Sequence, residues 1–302
     1  MIKLIYEESM PNYRYNGTLE LKFSNIQEQI DFFSESKFSD MGSDISWSEP
    51  IGTVMLKAHA ETHGINVDAI PCNSYIRNML TLGIDHQPIK PTYTPIVQIK
   101  GRYQTEQIRD SLTSTIMRNF STLSYSDQSD LRRYLNHMFS ELLNNVSDHS
   151  FSDIGGFAMA QYYENHKKVQ FAIADKGCGF LANIQAKFPE IQTEEAAIFK
   201  AMERAVTASK NYVYDQSRNA GYGLYTLETI LNHSNGNLII ISNDTMIKIE
   251  VGNKAVYKLS IPWDGVVVAF EFFEENTNYN FETIQKIWSA VKEGEEEEDF
   301  FL

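Results

Sequence analysis

Residues 169–179 read Val169-Gln-Phe-Ala-Ile-Ala-Asp175-Lys-Gly177-Cys-Gly179. A run of strand character leads straight into a carboxylate, and two glycines follow. A carboxylate at a strand end can accept a hydrogen bond from an amino group such as the exocyclic amine of adenine. Gly177 and Gly179 admit backbone conformations and close ligand approach that a side chain would block. Alone, Asp-x-Gly-x-Gly is more often a turn than a site, so its neighbours decide. Upstream stands Glu141-Leu-Leu-Asn-Asn145-Val-Ser-Asp-His149; downstream, after a long polar segment, comes Gly221-Tyr-Gly223-Leu224. In this order the three segments describe a pocket for a nucleotide and a magnesium ion. No Gly-x-x-x-x-Gly-Lys-Ser/Thr phosphate loop occurs anywhere to compete.

Glu141, Asn145 and His149 follow one another at intervals of four on a helical pattern, so they project from one face. The Glu141 carboxylate can take a proton from water attacking a phosphoryl group, and the neutral amide oxygen of Asn145 can ligate a magnesium bridging phosphates. The bland alternative is an exposed polar helix face, with Leu142, Leu143 and Val146 packing the other side in either case. Gly221-Tyr-Gly223-Leu224 opens another helical pattern, and a glycine turn at a helix start offers free N–H groups and a favourable dipole to phosphate oxygens. Lys210 and Arg218 lie between the glycine motifs as candidates to swing onto the γ-phosphate, against the alternative of solvated loop charges.

At 302 residues, with 42% hydrophobic and 12% aromatic content, the chain can bury substantial cores and suggests about two domains. A net charge of −14 argues against broad attraction to nucleic acid or anionic lipid. Cys72 and Cys178 read as free thiols in a reducing compartment. There is no apolar run near 18 residues and no signal-peptide pattern at the Met1 end, so the expectation is a cytoplasmic protein without a membrane span.

The pattern predicts an α/β unit over 1–95: a strand at 19–23, helices at 26–33 and 51–63, a strand at 65–70, a helix at 74–82, then a proline-bearing linker at 87–95. The second unit opens with helices at 105–118 and 126–147. Strands at 157–163 and 169–174 join across a polar turn at 165–168. A polar stretch at 181–220 holds one helix around 194–206, another helix covers 224–231, and strands follow at 238–242, 245–251, 255–261 and 266–272. The last part, 273–302, reads as an amphipathic helix at 281–291 with an acidic tail, solvated and mobile. His59-Ala-Glu-Thr-His63 places two imidazoles at i and i+4, but it lacks the His-Glu-x-x-His order and a third ligand, so surface or packing histidines are expected.

The three segments together resemble the GHKL ATPase superfamily (DNA gyrase, the ninety-kilodalton heat-shock chaperone, histidine kinases, MutL) over roughly 105–272. Glu141 and Asn145 match its N-box, with His149 where the anti-sigma-factor kinases of the group often carry a histidine. Asp175, Gly177 and Gly179 match the first glycine box, and Gly221 and Gly223 the second. Thr207-Ala-Ser-Lys210 is similar to the lid segment, and Gly236-Asn-Leu238 leads into the strand that follows. The resemblance implies a Bergerat-type α/β sandwich, a mainly antiparallel mixed sheet covered by helices, with an ATP–magnesium ligand and a lid at 181–220. It implies Glu141 as general base, Asn145 at the metal, and Asn145, Asp175, Gly177, Gly179, Lys210, Arg218, Gly221, Gly223 and Leu224 at the nucleotide.

There are departures. Gly265 is followed by Val266 where the family often has Gly-Thr, so the threonine's contact is missing or supplied elsewhere. The phosphoacceptor pattern of a histidine kinase is absent, since His137 precedes Met138, and self-phosphorylation is disfavoured. Residues 1–95 more faintly resemble a STAS domain, through Pro50-Ile-Gly52, Gly64-Ile-Asn-Val67 and Met79-Leu-Thr-Leu-Gly83. Its phosphorylatable serine is displaced to Ser48, which points to a docking or coupling module.

The resulting expectation is a slow ATPase acting as a conformational or dimerisation switch on a protein partner. Alternatives are a serine/threonine kinase of the anti-sigma-factor type and a nucleotide-sensing module without catalysis.

Overall fold

The computed structural model describes residues 19–35, 44–81, 92–203 and 223–274. Its frame is a seven-stranded sheet ordered β3 (Val97–Ile99), β4 (Gly156–Tyr163), β5 (Lys168–Asp175), β9 (Val266–Phe273), β6 (Asn237–Ser242), β7 (Thr245–Glu250) and β8 (Asn253–Lys258), every neighbouring pair antiparallel. The fold class is mixed α/β, as expected. The hairpins turn where the chain tolerates left-handed backbone. Lys167 (φ 48°) closes β4–β5, Asn243 (φ 47°) closes β6–β7, and Val251-Gly252 (φ 47° and 77°) closes β7–β8.

Side chains alternate across the central strands, and both faces are buried. Val169, Phe171 and Ile173 of β5, with Val268 and Phe270 of β9 and Leu238 and Ile240 of β6, join one core. That core is covered by α4 (Thr105–Met117), α5 (Tyr125–His149) and α8 (Gly223–His233). Ala172, Ala174, Val267, Ala269, Ile239 and Ile241 face the opposite way, into a second core. This second core is completed by α1 (Ile26–Glu35), α2 (Pro50–Thr62) and α3 (Ser74–Thr81), together with a parallel pair, β1 (Leu19–Leu21) and β2 (Ile45–Ser48). Pro50 opens α2 at a position where its missing N–H costs nothing. Gly52 lets that helix touch β1, since a Cβ there would overlap the Leu21 side chain.

Within the described residues the expected helices recur near their expected ends, except that the one expected around 194–206 stops at Ala201, and the strands around β4 to β9 recur likewise. Three other elements differ. The strand expected at 65–70 is a 3-10 turn, Val67–Ala69. Asn66 accepts the Asp68 N–H at 3.0 Å and so diverts the backbone from a ladder. Only Cys72 makes a bridge there, to Ile45. The described end of the expected linker, 92–95, runs as an edge beside β4: Thr94 N donates to Ala160 O at 2.8 Å, and Tyr162 N to Thr92 O at 2.6 Å. The polar stretch after the first glycine motif also differs, because Gly179 opens a short helix, α6 (Gly179–Gln185), ahead of α7 (Glu194–Ala201). Residues 204–222, including Lys210, Arg218 and Gly221, and the expected C-terminal helix and tail lie outside the described residues. Among the described residues no helix is long and apolar enough to cross a membrane.

Candidate functional site

The spine of the site is α5. Ser124 caps it by accepting the Asp127 N–H at 3.2 Å. Leu131, Leu135, Met138, Leu142 and Val146 recur at helical spacing and bury in the first core. Glu141, Asn145 and His149 form the adjoining face, with Glu141 buried and the other two half-buried.

The third segment closes on the middle of this helix. A Cβ on Gly223 would lie 2.5 Å from Glu141 Oε2 and 3.1 Å from Glu141 Cβ, so only glycine allows the start of α8 to lie against the carboxylate. Leu224, next along, is buried and anchors that start in the core. The second segment closes on the helix's far end. A Cβ on Gly177 would overlap the Ser150 carbonyl oxygen, which instead accepts the Cys178 N–H at 2.9 Å. Asn183 Nδ2 on α6 donates to the His149 carbonyl at 2.8 Å. Segments far apart in sequence therefore meet along the C-terminal part of α5.

Asp175 ends β5 with 3% of its surface exposed. Its Oδ1 accepts the Gly177 N–H at 2.8 Å and the Val266 N–H at 3.3 Å. Among the described residues Oδ2 takes no hydrogen bond, which leaves an acceptor for a ligand amine. Burial pushes this carboxyl up to about 6, outweighing the two N–H donors and the Lys176 charge that pull it down. Burial likewise raises Glu141 to about 7 against the opposing pull of the Arg102 guanidinium, and it lowers the His149 imidazole. A carboxyl near 7 is balanced between holding and releasing a proton at neutral pH, which suits a general base.

Several residues of this region carry no sequence motif. Glu194, at the start of α7, is buried and accepts from Ser242 Oγ at 2.6 Å and Asn243 Nδ2 at 2.5 Å. Asn243 Oδ1 in turn accepts the Gly265 N–H at 3.1 Å. Gly179 (φ 78°) packs against this cluster, where a Cβ would meet Glu194, Ser242 and Asn243. The turn at Gly265 is thus held by the Asn243 side chain. Trp263 donates its indole N–H to the Asp175 carbonyl at 2.9 Å. The Lys176 ammonium donates to the Trp263 carbonyl and lies 3.6 Å from the ring centroid; burial lowers it to about 8. Buried acids and amides paired over long sequence separations leave no short-range signal, so none of these is legible in the sequence.

His59 and His63 stack at 4.2 Å, with Phe33 5.6 Å beyond. Among the described residues no group of three or more His, Cys, Asp or Glu side chains is disposed to hold a metal. Ser48 is buried, its hydroxyl 2.8 Å from that of Thr53. Two open depressions, of about 330 Å³ around Trp47 and Lys168 and about 250 Å³ between α3 and α4, lie away from the Glu141 face of α5. No protein-family model and no curated protein sequence matches this chain.

Proposed function

We propose that residues 105–272 form a Bergerat-type pocket of the GHKL kind that takes ATP with magnesium, preceded by a STAS-like unit. Slow hydrolysis would make the protein a switch acting on a protein partner. The reading rests on one observation above all: Glu141, Gly223 and the Asp175–Gly179 turn, separated by up to 82 residues of sequence (223 − 141), lie along the same few turns of α5.

The donor set fits the ligand. Asp175 Oδ2 offers an acceptor to an exocyclic amine, while the two N–H bonds to Oδ1 fix the carboxylate's plane. The first turn of α8, brought against Glu141 at Gly223, would offer backbone N–H groups to phosphate oxygens. Asn145 supplies a neutral oxygen one turn along α5 from Glu141, and Glu141 a buried carboxylate. Bound magnesium would neutralise phosphate charge and hold the phosphates in line. Glu141 receives the proton of the attacking water at its carboxylate. Its burial makes it a stronger base than an exposed glutamate, and Gly223 leaves the space its carboxylate occupies.

Calorimetric titration with ATP and magnesium, followed by phosphate release on the same sample, tests the reading. Native protein should bind ATP, and Asp175→Ala should not. Binding without phosphate release would leave a sensor. Radiolabel passing to a partner protein would favour a kinase, and no binding at millimolar ATP would remove the nucleotide reading.

A further inference from the structure

Resting on the nucleotide reading, we propose that Arg102 is a phosphate-facing residue of the site. It is carried by the 3-10 turn ahead of α4, outside every motif in the sequence. Asp148 lies seven residues beyond Glu141 on α5, which returns it to the same stripe as Glu141 and Asn145. Arg102 Nη1 stands 3.6 Å from Asp148 Oδ2, so the guanidinium is brought to the end of that stripe. Its backbone is fixed there: Thr105 Oγ1 donates to the Arg102 carbonyl at 2.9 Å and Gln104 N to Gly101 O at 3.1 Å.

Three features suit this side chain to an anion. The Asp148 pair is too long for a hydrogen bond, and among the described residues the guanidinium makes none, so its N–H donors are available. The Arg102 side chain is 48% exposed, so a ligand can reach it. It is also, among the described residues, the cation whose field reaches both Glu141 and His149. In a chain of net charge −14, whose site already carries Glu141 and Asp175, a polyphosphate needs such a counter-charge. A planar fork of N–H donors can grip two phosphate oxygens at once, which a lysine cannot.

The test is calorimetric titration of the native chain, Arg102→Gln, Arg102→Lys and Asp148→Asn with two probes, magnesium–ATP and adenosine. Arg102→Gln should weaken magnesium–ATP on the order of tenfold or more while adenosine affinity stays within about twofold, with Arg102→Lys intermediate. Asp148→Asn should hold magnesium–ATP within about twofold or tighten it, because it removes a negative charge and frees the guanidinium. Equal losses in Arg102→Gln and Asp148→Asn would mean that the pair only braces the end of α5, and the proposal would fall. So it would if Arg102→Gln bound magnesium–ATP like the native chain. A native chain that binds neither probe overturns the nucleotide reading itself, and this proposal with it.

Discussion

Glu141 is a buried acid whose carboxyl is raised from 4.5 to about 7, and that has a sign for stability. Between those values the folded chain holds a proton that the unfolded chain releases. Stability from this group is therefore greatest below about 4.5, falls as pH rises through the window, and is gone above about 7. Glu141→Gln should melt higher than the native chain at pH 8, by about 1–3 kcal/mol, with the gap closing toward pH 4. The same variant should keep ATP binding and lose phosphate release, and native kcat/KM should rise with pH along a limb near 7. Equal turnover in native and variant would sink the assignment of the base. Gly177→Ala drives a methyl into the Ser150 carbonyl, a backbone atom with no rotamer to yield. A loss of about 2–4 kcal/mol is expected in a denaturant titration. The motif glycines are legible in the sequence as glycines that matter, but their partners are not. Gly177 reads there as room for a ligand and Gly223 as part of a turn that frees N–H groups for phosphate, whereas Gly177 makes room for the Ser150 carbonyl at the end of α5 and Gly223 for the Glu141 side chain on it.

At the level of elements, the end of β5 is tied to the start of β9 through one side chain, since Asp175 Oδ1 bridges the N–H groups of Gly177 and Val266. Asp175→Ala leaves both donors without their acceptor and should cost about 1–3 kcal/mol besides abolishing nucleotide binding. Asp175→Asn separates the two effects. Its oxygen can still take both N–H groups, so the melting temperature should stay near native. Its amide nitrogen would then stand where Oδ2 accepted, so adenosine binding should be lost. Retained adenosine affinity in that variant, read by calorimetry, would show that Oδ2 is not the acceptor. The strands of this sheet are legible because they are long, β-branched and aromatic. The turn at Val67–Ala69 reads as a strand because the pattern does not show Asn66 satisfying the backbone locally, and β2 and β3, of four and three residues, have no counterpart among the expected strands.

On the scale of the whole molecule, the sheet is shared. Residues 1–95 read as a separate unit, yet Ile51, Met55 and Met79 pack in the same core as Phe157, Ile239 and Val267. A clue is present in the strand Val169–Ala174: its largely apolar run, without regular polar alternation, is what burial on both faces requires. Scanning calorimetry should therefore show one cooperative transition across the described residues. Ile51→Ala, a cavity of about 2–4 kcal/mol, should shift that transition as a whole; two independent melts, with only the first one moved, would contradict the shared core. Trp263 lies where these layers meet, 2% exposed, with its indole on the Asp175 carbonyl and an ammonium against its ring. The chain has three tryptophans; with Trp47 and Trp288 replaced by phenylalanine, ultraviolet emission would come from Trp263 alone. Occupancy of Asp175 would then be visible as a change in colour or brightness, giving the protein a built-in optical gauge of its own site.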